Sequence, residues 1–302
     1  MTQIFGAVDL GSNSVRCLGV FYEERKLRYL FSGRWVTRFS EGMTDNKRDI
    51  SPQALERTLK ALSETKDMLQ QRKVPPSRTR FFGTEGLRSA DGMEEVTQDL
   101  EEIIDAPLTV LEGHEEARLS LEGALLGIDS ADAVFDLGGG SLEVAGADFV
   151  ESFRVGAVRM ASLYGDEVRR VYESSREILK DLPRKAKKLA GVGGTSSSAA
   201  MMLQKTPWQE YHPEKTHARK IEKTELGVLL RKLEILDVKG RQEVAGLEPS
   251  RADIIVPGLC VIEALLDSLE LDWYIHSETD LLWAQCARAA TEEGLVVEEA
   301  EY

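Results

Sequence analysis

Two short segments of this 302-residue chain carry the residue types that phosphate chemistry requires. Asp9-Leu10-Gly11-Ser12-Asn13-Ser14 and Asp136-Leu137-Gly138-Gly139-Gly140-Ser141 each follow an apolar run and place small residues at a bend. Small residues let backbone N–H groups approach an anion closely, so Ser12 and Asn13 in one copy, and Gly138, Gly139, Gly140 and Ser141 in the other, read as phosphate nests. The aspartate before each bend, Asp9 or Asp136, can hold a divalent cation directly or through water. A plain hairpin turn with a solvated aspartate explains one such copy equally well. The pattern occurs twice, Asp136 lying 127 positions after Asp9, and Gly19 and Gly146 repeat the offset. That repetition favours two related units over two accidental turns.

Three further segments could join such a site. Gly191-Val192-Gly193-Gly194-Thr195 reads as a strand entering a glycine turn and a helix, so Gly193, Gly194 and Thr195 mark a helix N-terminus able to bind an anion, or a tight βα loop. It is neither a Walker A loop, since no Gly-Lys-Ser/Thr follows, nor a GxGxxG turn. Glu112-Gly113-His114-Glu115-Glu116 puts acids at a helix entrance, where they suit the helix dipole and where one can orient a water. Arg88, after Thr84-Glu85-Gly86, can neutralise phosphate or be an ordinary surface arginine, and Arg38 is a weaker candidate of that type. His114, His212, His217 and His276 lack zinc-site spacing, and no GxSxG elbow is present.

The elements that must position these groups alternate in an α/β manner. Strands are predicted over 4–8, 15–22, 27–36, 80–83, 108–111, 133–137 and 189–192. Helices are predicted over 51–72, 94–104, 115–126, 166–189 (broken at Pro183), 197–203, 224–236, 252–269 and 281–299. Residues 208–220 read as a polar excursion, and Arg184-Lys185-Ala186-Lys187-Lys188 as a solvated helix face. Two domains follow, 1–125 and 126–302.

Thirty-eight Lys and Arg stand against 52 Asp and Glu, a net charge of −14, which argues against a general nucleic-acid binder but not against a locally held phosphate ligand. Cys17, Cys260 and Cys286 form no CxxC pair and suit a reducing compartment. The start carries no signal-peptide pattern, and the stretch 254–266, interrupted by Pro257 and Glu263, is too short to span a bilayer. The expectation is a cytoplasmic protein with no membrane partner.

Taken in order, the two Asp-Leu-Gly turns, Gly113-His114-Glu115-Glu116-Ala117-Arg118, Ser141-Leu142-Glu143, Gly156-Ala157-Val158-Arg159, Gly191-Val192-Gly193-Gly194-Thr195 and Arg251-Ala252-Asp253 resemble the exopolyphosphatase / guanosine pentaphosphate phosphohydrolase (Ppx/GppA) family over nearly the whole chain. The resemblance implies two ribonuclease-H-like domains of the actin/Hsp70/sugar-kinase type with an interdomain cleft. It implies a hydrolase that removes the terminal phosphate of inorganic polyphosphate or of pppGpp with Mg²⁺ or a similar ion. Glu116 would be the base, and Asp136 and Glu143 would lie near the attacking water and the metal; Asp9, from its own turn, is the further candidate metal ligand. Ser12, Asn13, Gly139, Gly140, Ser141 and Arg88 would contact phosphate. It is also consistent with a homodimer and with a guanosine penta- or tetraphosphate as ligand.

Two departures stand out: Leu142 replaces a family threonine, and Glu278 and Asp280 occupy a late segment where the family has glycine and arginine. Two acids there, in a chain of net charge −14, would favour short polyphosphates or a nucleotide end over long chains. The family's C-terminal helical extension is not expected. Two rivals share the glycine turns, a nucleotide-dependent kinase of the same superfamily and a non-catalytic polyphosphate or alarmone sensor.

Overall fold

The computed structural model describes residues 3–43, 48–183 and 186–302; Arg184 and Lys185 of the basic cluster lie outside the described residues. In chain order the first strands are β1 (Gln3–Leu10), β2 (Ser14–Glu23) and β3 (Lys26–Val36). Helix α1 (Pro52–Gln71), β4 (Thr79–Gly83), α2 (Glu85–Arg88), α3 (Met93–Ile104), β5 (Leu108–Val110) and α4 (Gly113–Gly127) follow. The pattern then restarts with β6 (Ala133–Leu137), β7 (Leu142–Gly146), β8 (Phe149–Phe153), α5 (Ala157–Tyr164), α6 (Val168–Ile178), β9 (Leu189–Val192) and α7 (Gly194–Gln204). Next come α8 (Pro213–Thr216), β10 (Lys220–Glu222), α9 (Lys223–Glu234), α10 (Val238–Gln242), α11 (Ile255–Leu269) and β11 (Trp273–His276), and last α12 (Leu281–Glu292) and β12 (Glu299–Glu301).

Two compact units result: Met1–Gly127 with Thr279–Tyr302, and Ile128–Glu278. Their sheets run β12-β3-β2-β1-β4-β5 and β10-β11-β9-β6-β7-β8. In each, the strand that ends in Asp-Leu-Gly pairs antiparallel with the next strand and parallel with a later one: β1 with β2 and β4, β6 with β7 and β9. These central strands are paired on both edges and their side chains are buried on both faces, which is why they read as near-continuous apolar runs.

Side-chain alternation divides the first unit's core. Val8, Leu10, Val15 and Cys17 face the layer holding α1 and α3, whereas Phe5, Ala7, Leu18 and Val20 face α4, α12 and the buried Trp283. Helix α1 starts where Ser51 accepts a hydrogen bond from Ala54 N–H at 3.2 Å and Pro52 fills the first helical position. Its inward face, Ala54, Thr58, Ala61, Leu62, Thr65 and Leu69, recurs at helical spacing. The second unit centres on the apolar α11, packed over Phe135, Leu137, Leu142 and Val144.

The structure departs from the sequence reading in the second half. The expected boundaries of 1–125 and 126–302 give way at the C-terminus, because Thr279–Tyr302 joins the first unit. The expected helix 281–299 stops at Glu292, and Glu299–Glu301 pairs parallel with Lys26–Arg28 at the sheet edge. The helix read over 166–189 spans only Val168–Ile178, and Lys187 and Lys188 lie on a bend whose amides donate to Asp132 rather than on a helix face. Cys17, Cys260 and Cys286 are all buried.

Candidate active site

The two Asp-Leu-Gly turns are the same piece of backbone. Gly11 N–H donates to Ser14 O at 3.1 Å, and Gly138 N–H donates to Ser141 O at 3.0 Å. Leu10 pairs with Val15 below the first turn, and Leu137 with Leu142 below the second. The sequence repeat is therefore a structural one, down to hydrogen-bond register.

What surrounds the two turns differs. Cross-strand from Asp9 stands Arg16, which donates to Asp9 Oδ2 through Nη2 at 2.7 Å and Nε at 3.0 Å. Arg16 Nη1 also pairs with Asp280, whose other oxygen caps α12 by accepting from Leu282 N–H at 3.0 Å. Burial raises the pKa of Asp9 against the opposing charge and hydrogen bonds of Arg16. Cross-strand from Asp136 stands Glu143 instead, so two buried carboxylates share one hairpin. Glu143 Oε1 accepts from Ser152 Oγ at 2.9 Å.

The second turn is held from below by the Gly156–Arg159 segment. Ala157 and Arg159 N–H groups donate to the carbonyls of Gly138 and Gly139 at 3.0 Å each, and Arg159 Nε donates to Gly140 O at 3.0 Å. The amides of Gly139, Gly140 and Ser141 take no part in these bonds. A turn with its carbonyls tied back and amides left over has the polarity of an anion nest. Gly193, ahead of α7, has φ +93°, and a Cβ there would meet Leu137 O at 2.6 Å and Asp136 Oδ1 at 3.1 Å, so only glycine brings this loop against the Asp136 hairpin. Thr195 is buried, and the Arg251 guanidinium lies against Gly194 while its Nε donates to Glu248 at 3.1 Å.

In the first unit, Glu112, Glu115 and Glu116 separate by burial. Glu112 and Glu115 are exposed, and Glu115 accepts from Glu112 N–H at 3.1 Å as a helix-start acid should. Glu116 is 6 % exposed, and its Oε2 lies 3.5 Å from Arg88 Nη1. Arg88 Nη2 lies 3.5 Å from Glu85 Oε2, and its Nη1 donates to Leu111 O. The structure thus brings the expected Glu116 and Arg88 together and adds Glu85, a buried acid whose two oxygens accept from Ser89 Oγ at 2.7 and 2.8 Å. Arg38 stays at the rim, paired with Glu41 at 3.4 Å.

Over residues 21–284 the chain matches the Ppx/GppA phosphatase family. The chain belongs to the Ppx/GppA phosphatase family. Among solved family structures, it superposes on an exopolyphosphatase from Cytophaga hutchinsonii with a TM-score of 0.82 at 22% identity, covering 97% of this chain and 99% of that one. An Aquifex aeolicus Ppx/GppA family member gives 0.80 at 21% identity, covering 97% and 99%. An exopolyphosphatase-like protein gives 0.83 at 22% identity, covering 96% and 98%. These likenesses establish the actin-like, ribonuclease-H-like two-domain fold. The chain is also 25% identical over 303 residues to a bifunctional 3-dehydroquinate synthase/phosphatase from Fusobacterium nucleatum subsp. nucleatum, covering 91% of this chain and 45% of that protein. It therefore spans less than half the length of that curated relative.

For this Ppx/GppA member the segment with Glu278 and Asp280 carries a correction. Neither acid is exposed. Glu278 accepts from Tyr211 Oη at 2.8 Å, Thr216 Oγ1 at 2.5 Å and Ser197 Oγ at 3.5 Å, and pairs with His276 Nε2 at 2.8 Å. Burial alone would raise its pKa, but the charge and hydrogen bond of His276, with the two hydroxyls, hold it below the usual carboxylate range. His276 Nδ1 lies 2.7 Å from Ser196 Oγ, but Ser196 and His276 are fully buried, so this Ser–His–Glu chain braces the start of α7 and offers no accessible nucleophile. Both acids are internally compensated, so a preference for short chains rests on the net charge of −14 rather than on this segment. Among the described residues no helix is long and apolar enough to cross a membrane.

Sequence reasoning assigned no role to Arg159, Arg251 or Glu85. The arginines stood in motifs already visible, but only folding shows that both are nine-tenths buried against the glycine turns. Glu85 in Thr-Glu-Gly looked like a turn residue, and no pattern marked it.

As for the expected ion, Asp9 is paired with Arg16, so of Asp9, Asp136 and Glu143 only the last two share a hairpin. Among the described residues no three His, Cys, Asp or Glu side chains group as ion ligands. Two adjacent carboxylates still fit Mg²⁺, which is commonly bound by one or two carboxylates with substrate phosphates and waters completing its shell.

Proposed function

We propose that this phosphatase-family protein is a phosphoanhydride hydrolase that releases the terminal phosphate of short inorganic polyphosphate, of pppGpp, or of both. The observation that carries the reading is Glu116: alone among the acids at the start of α4 it is buried, and it lies beside Arg88. Phosphoryl transfer needs positioning and charge stabilisation more than covalent chemistry, so a held water and hydrogen-bond donors to the phosphoryl oxygens suffice. Glu116 orients the attacking water and takes its proton. Arg88 turns from Glu116 and Leu111 O toward phosphate oxygens. Ser12, Asn13 and the amides of Gly139, Gly140 and Ser141 accept the remaining charge, with Gly193, Gly194 and Thr195 as a further anion-binding turn. Asp136 and Glu143 would hold the Mg²⁺, which when bound neutralises the developing charge.

The altered segment 277–284 was the feature that kept a non-catalytic sensor in play, and the pairing of Glu278 and Asp280 within the fold gives that segment a structural role. The test is phosphate release from tripolyphosphate, pppGpp and ATP with Mg²⁺. Glu116→Gln should lower turnover by about 10²–10⁴-fold while ligand still binds. The exposed neighbour, as Glu115→Gln, should stay near wild type. Near-normal turnover in folded Glu116→Gln would refute the assignment, and transfer of the phosphate to an acceptor would favour the kinase alternative.

A further inference from the structure

A third segment of the first unit, the loop 37–40, is fastened to the Ser12-Asn13 turn. Thr37 and Arg38 N–H groups both donate to Asn13 O, at 3.0 and 2.9 Å, and Ser40 N–H donates to Ser12 O at 3.0 Å. Arg38 takes φ +50° to complete the loop, a conformation that non-glycine residues adopt only when the surroundings fix it. The backbone bonds are satisfied, but three side-chain groups are not. Asn13 Nδ2, Thr37 Oγ1 and Ser40 Oγ are each buried with no hydrogen-bond partner. Such orphans cost about 1–3 kcal/mol apiece, so three in one place call for an explanation.

The three groups share a chemistry. The Asn13 amide nitrogen can only donate, and the two hydroxyls can donate. Their common need is an acceptor, and a phosphoryl group offers several oxygens at once. Geometry brings Ser40 against the Ser12-Asn13 turn. A Cβ placed on Gly86 would lie 2.6 Å from Ser40 Oγ and 2.9 Å from Ser12 Oγ, so the two hydroxyls are no farther apart than those distances together. Turning the Ser40 hydroxyl about χ1 breaks no existing hydrogen bond, since it makes none.

We propose that the loop 37–40 is a second wall of the oxyanion site, in which Ser40 Oγ and Asn13 Nδ2 grip one phosphoryl group of the oligophosphate ligand. The idea rests on the hydrolase reading for its ligand class. Gly86 is glycine because any side chain would wedge between the two serines. Ser40 is a ligand-gripping residue and takes no part in bond breaking.

The test measures affinity and stability together. Titration calorimetry with tripolyphosphate and Mg²⁺, in the Glu116→Gln background to keep the ligand intact, should give about tenfold weaker Kd for Ser40→Ala, the loss expected for one hydrogen bond to a charged group. Thr37→Val should weaken binding less, and Gly86→Ala at least as much as Ser40→Ala. Removing an unpartnered hydroxyl should leave the melting temperature of the ligand-free chain unchanged or raised. A lowered melting temperature with Kd within twofold would mean that a buried water, not a phosphate, satisfies Ser40, and would overturn the proposal, as would failure of tripolyphosphate to bind at all. Phosphate release by the otherwise unaltered chain separates the two ideas. Binding that depends on Ser40 without release sinks the hydrolase reading and leaves this site standing. Release with unchanged affinity in Ser40→Ala does the reverse.

Discussion

The first and second Asp-Leu-Gly hairpins have one backbone and opposite electrostatics. In the first, the carboxylate of Asp9 meets a guanidinium that is itself shared with Asp280, so the fold supplies its own cation. In the second, Asp136 stands across from another carboxylate, Glu143, where the first hairpin has its arginine. One cross-strand position thus divides the duplicated turn into a closed half, where Arg16 stands opposite the aspartate, and an open half, named only for the carboxylate Glu143 that stands there instead. Burial makes the division consequential, because charges shielded from water must be compensated close by.

The largest effect should come from opening the closed half. Arg16→Met strands Asp9 and Asp280 as buried acids without their partner, and losing one member of a buried ion pair typically costs about 3–5 kcal/mol. Urea denaturation reads this directly. A loss under about 1 kcal/mol would mean that water already reaches the cluster and that the first hairpin is not closed.

A smaller effect tests the open half. Asp136→Asn should raise the Mg²⁺ concentration for half-maximal rate, by roughly 10–100-fold if it behaves as metal-site partners generally do. Asp9→Asn should leave that concentration where it was, whatever it does to rate. Equal shifts for the two variants would erase the distinction between the hairpins.

The smallest effect is a difference of sign. Burial raises the pKa of Asp9, so its contribution to stability is complete below its unfolded value and is lost as pH rises through the folded one. Glu278 is buried too, yet His276 and its hydroxyl donors pull its pKa down, so its contribution is complete above the unfolded value and is lost as pH falls through the folded one. Across roughly pH 3–6, around the unperturbed carboxylate values, Asp9→Asn should remove a component of stability that falls with pH, and Glu278→Gln one that rises. Unfolding free energies along that series check both slopes.

How far these features could be read from sequence depended on their range. The turns were legible because glycine and serine at a bend between apolar strands leave few backbone alternatives. Ser51-Pro52 was legible for the same local reason. Arg16 with Asp280 was not, since 264 residues separate the partners and neither stands in a repeating pattern. The short strands β8, β10 and β12 escaped notice because each carries exposed polar residues and lies at a sheet edge, where alternation is weak. Of the site, Arg88 and Glu116 could be nominated, Glu116 over Glu115 only through the family resemblance, and the structure adds a difference in burial that helix periodicity alone left open.

The return of Thr279–Tyr302 to the first unit has a consequence for how the chain is made. The second unit is one uninterrupted stretch, Ile128–Glu278, and can close its core once that stretch has emerged from the ribosome. The first unit, although begun earlier, must wait. Its sheet lacks an edge strand until residues 299–301 are present, and Phe5, Ala7 and Leu18 lack the cover that Trp283 and its helix provide. Synthesis order and folding order therefore run opposite ways: the half that leaves the ribosome first is the half that finishes last.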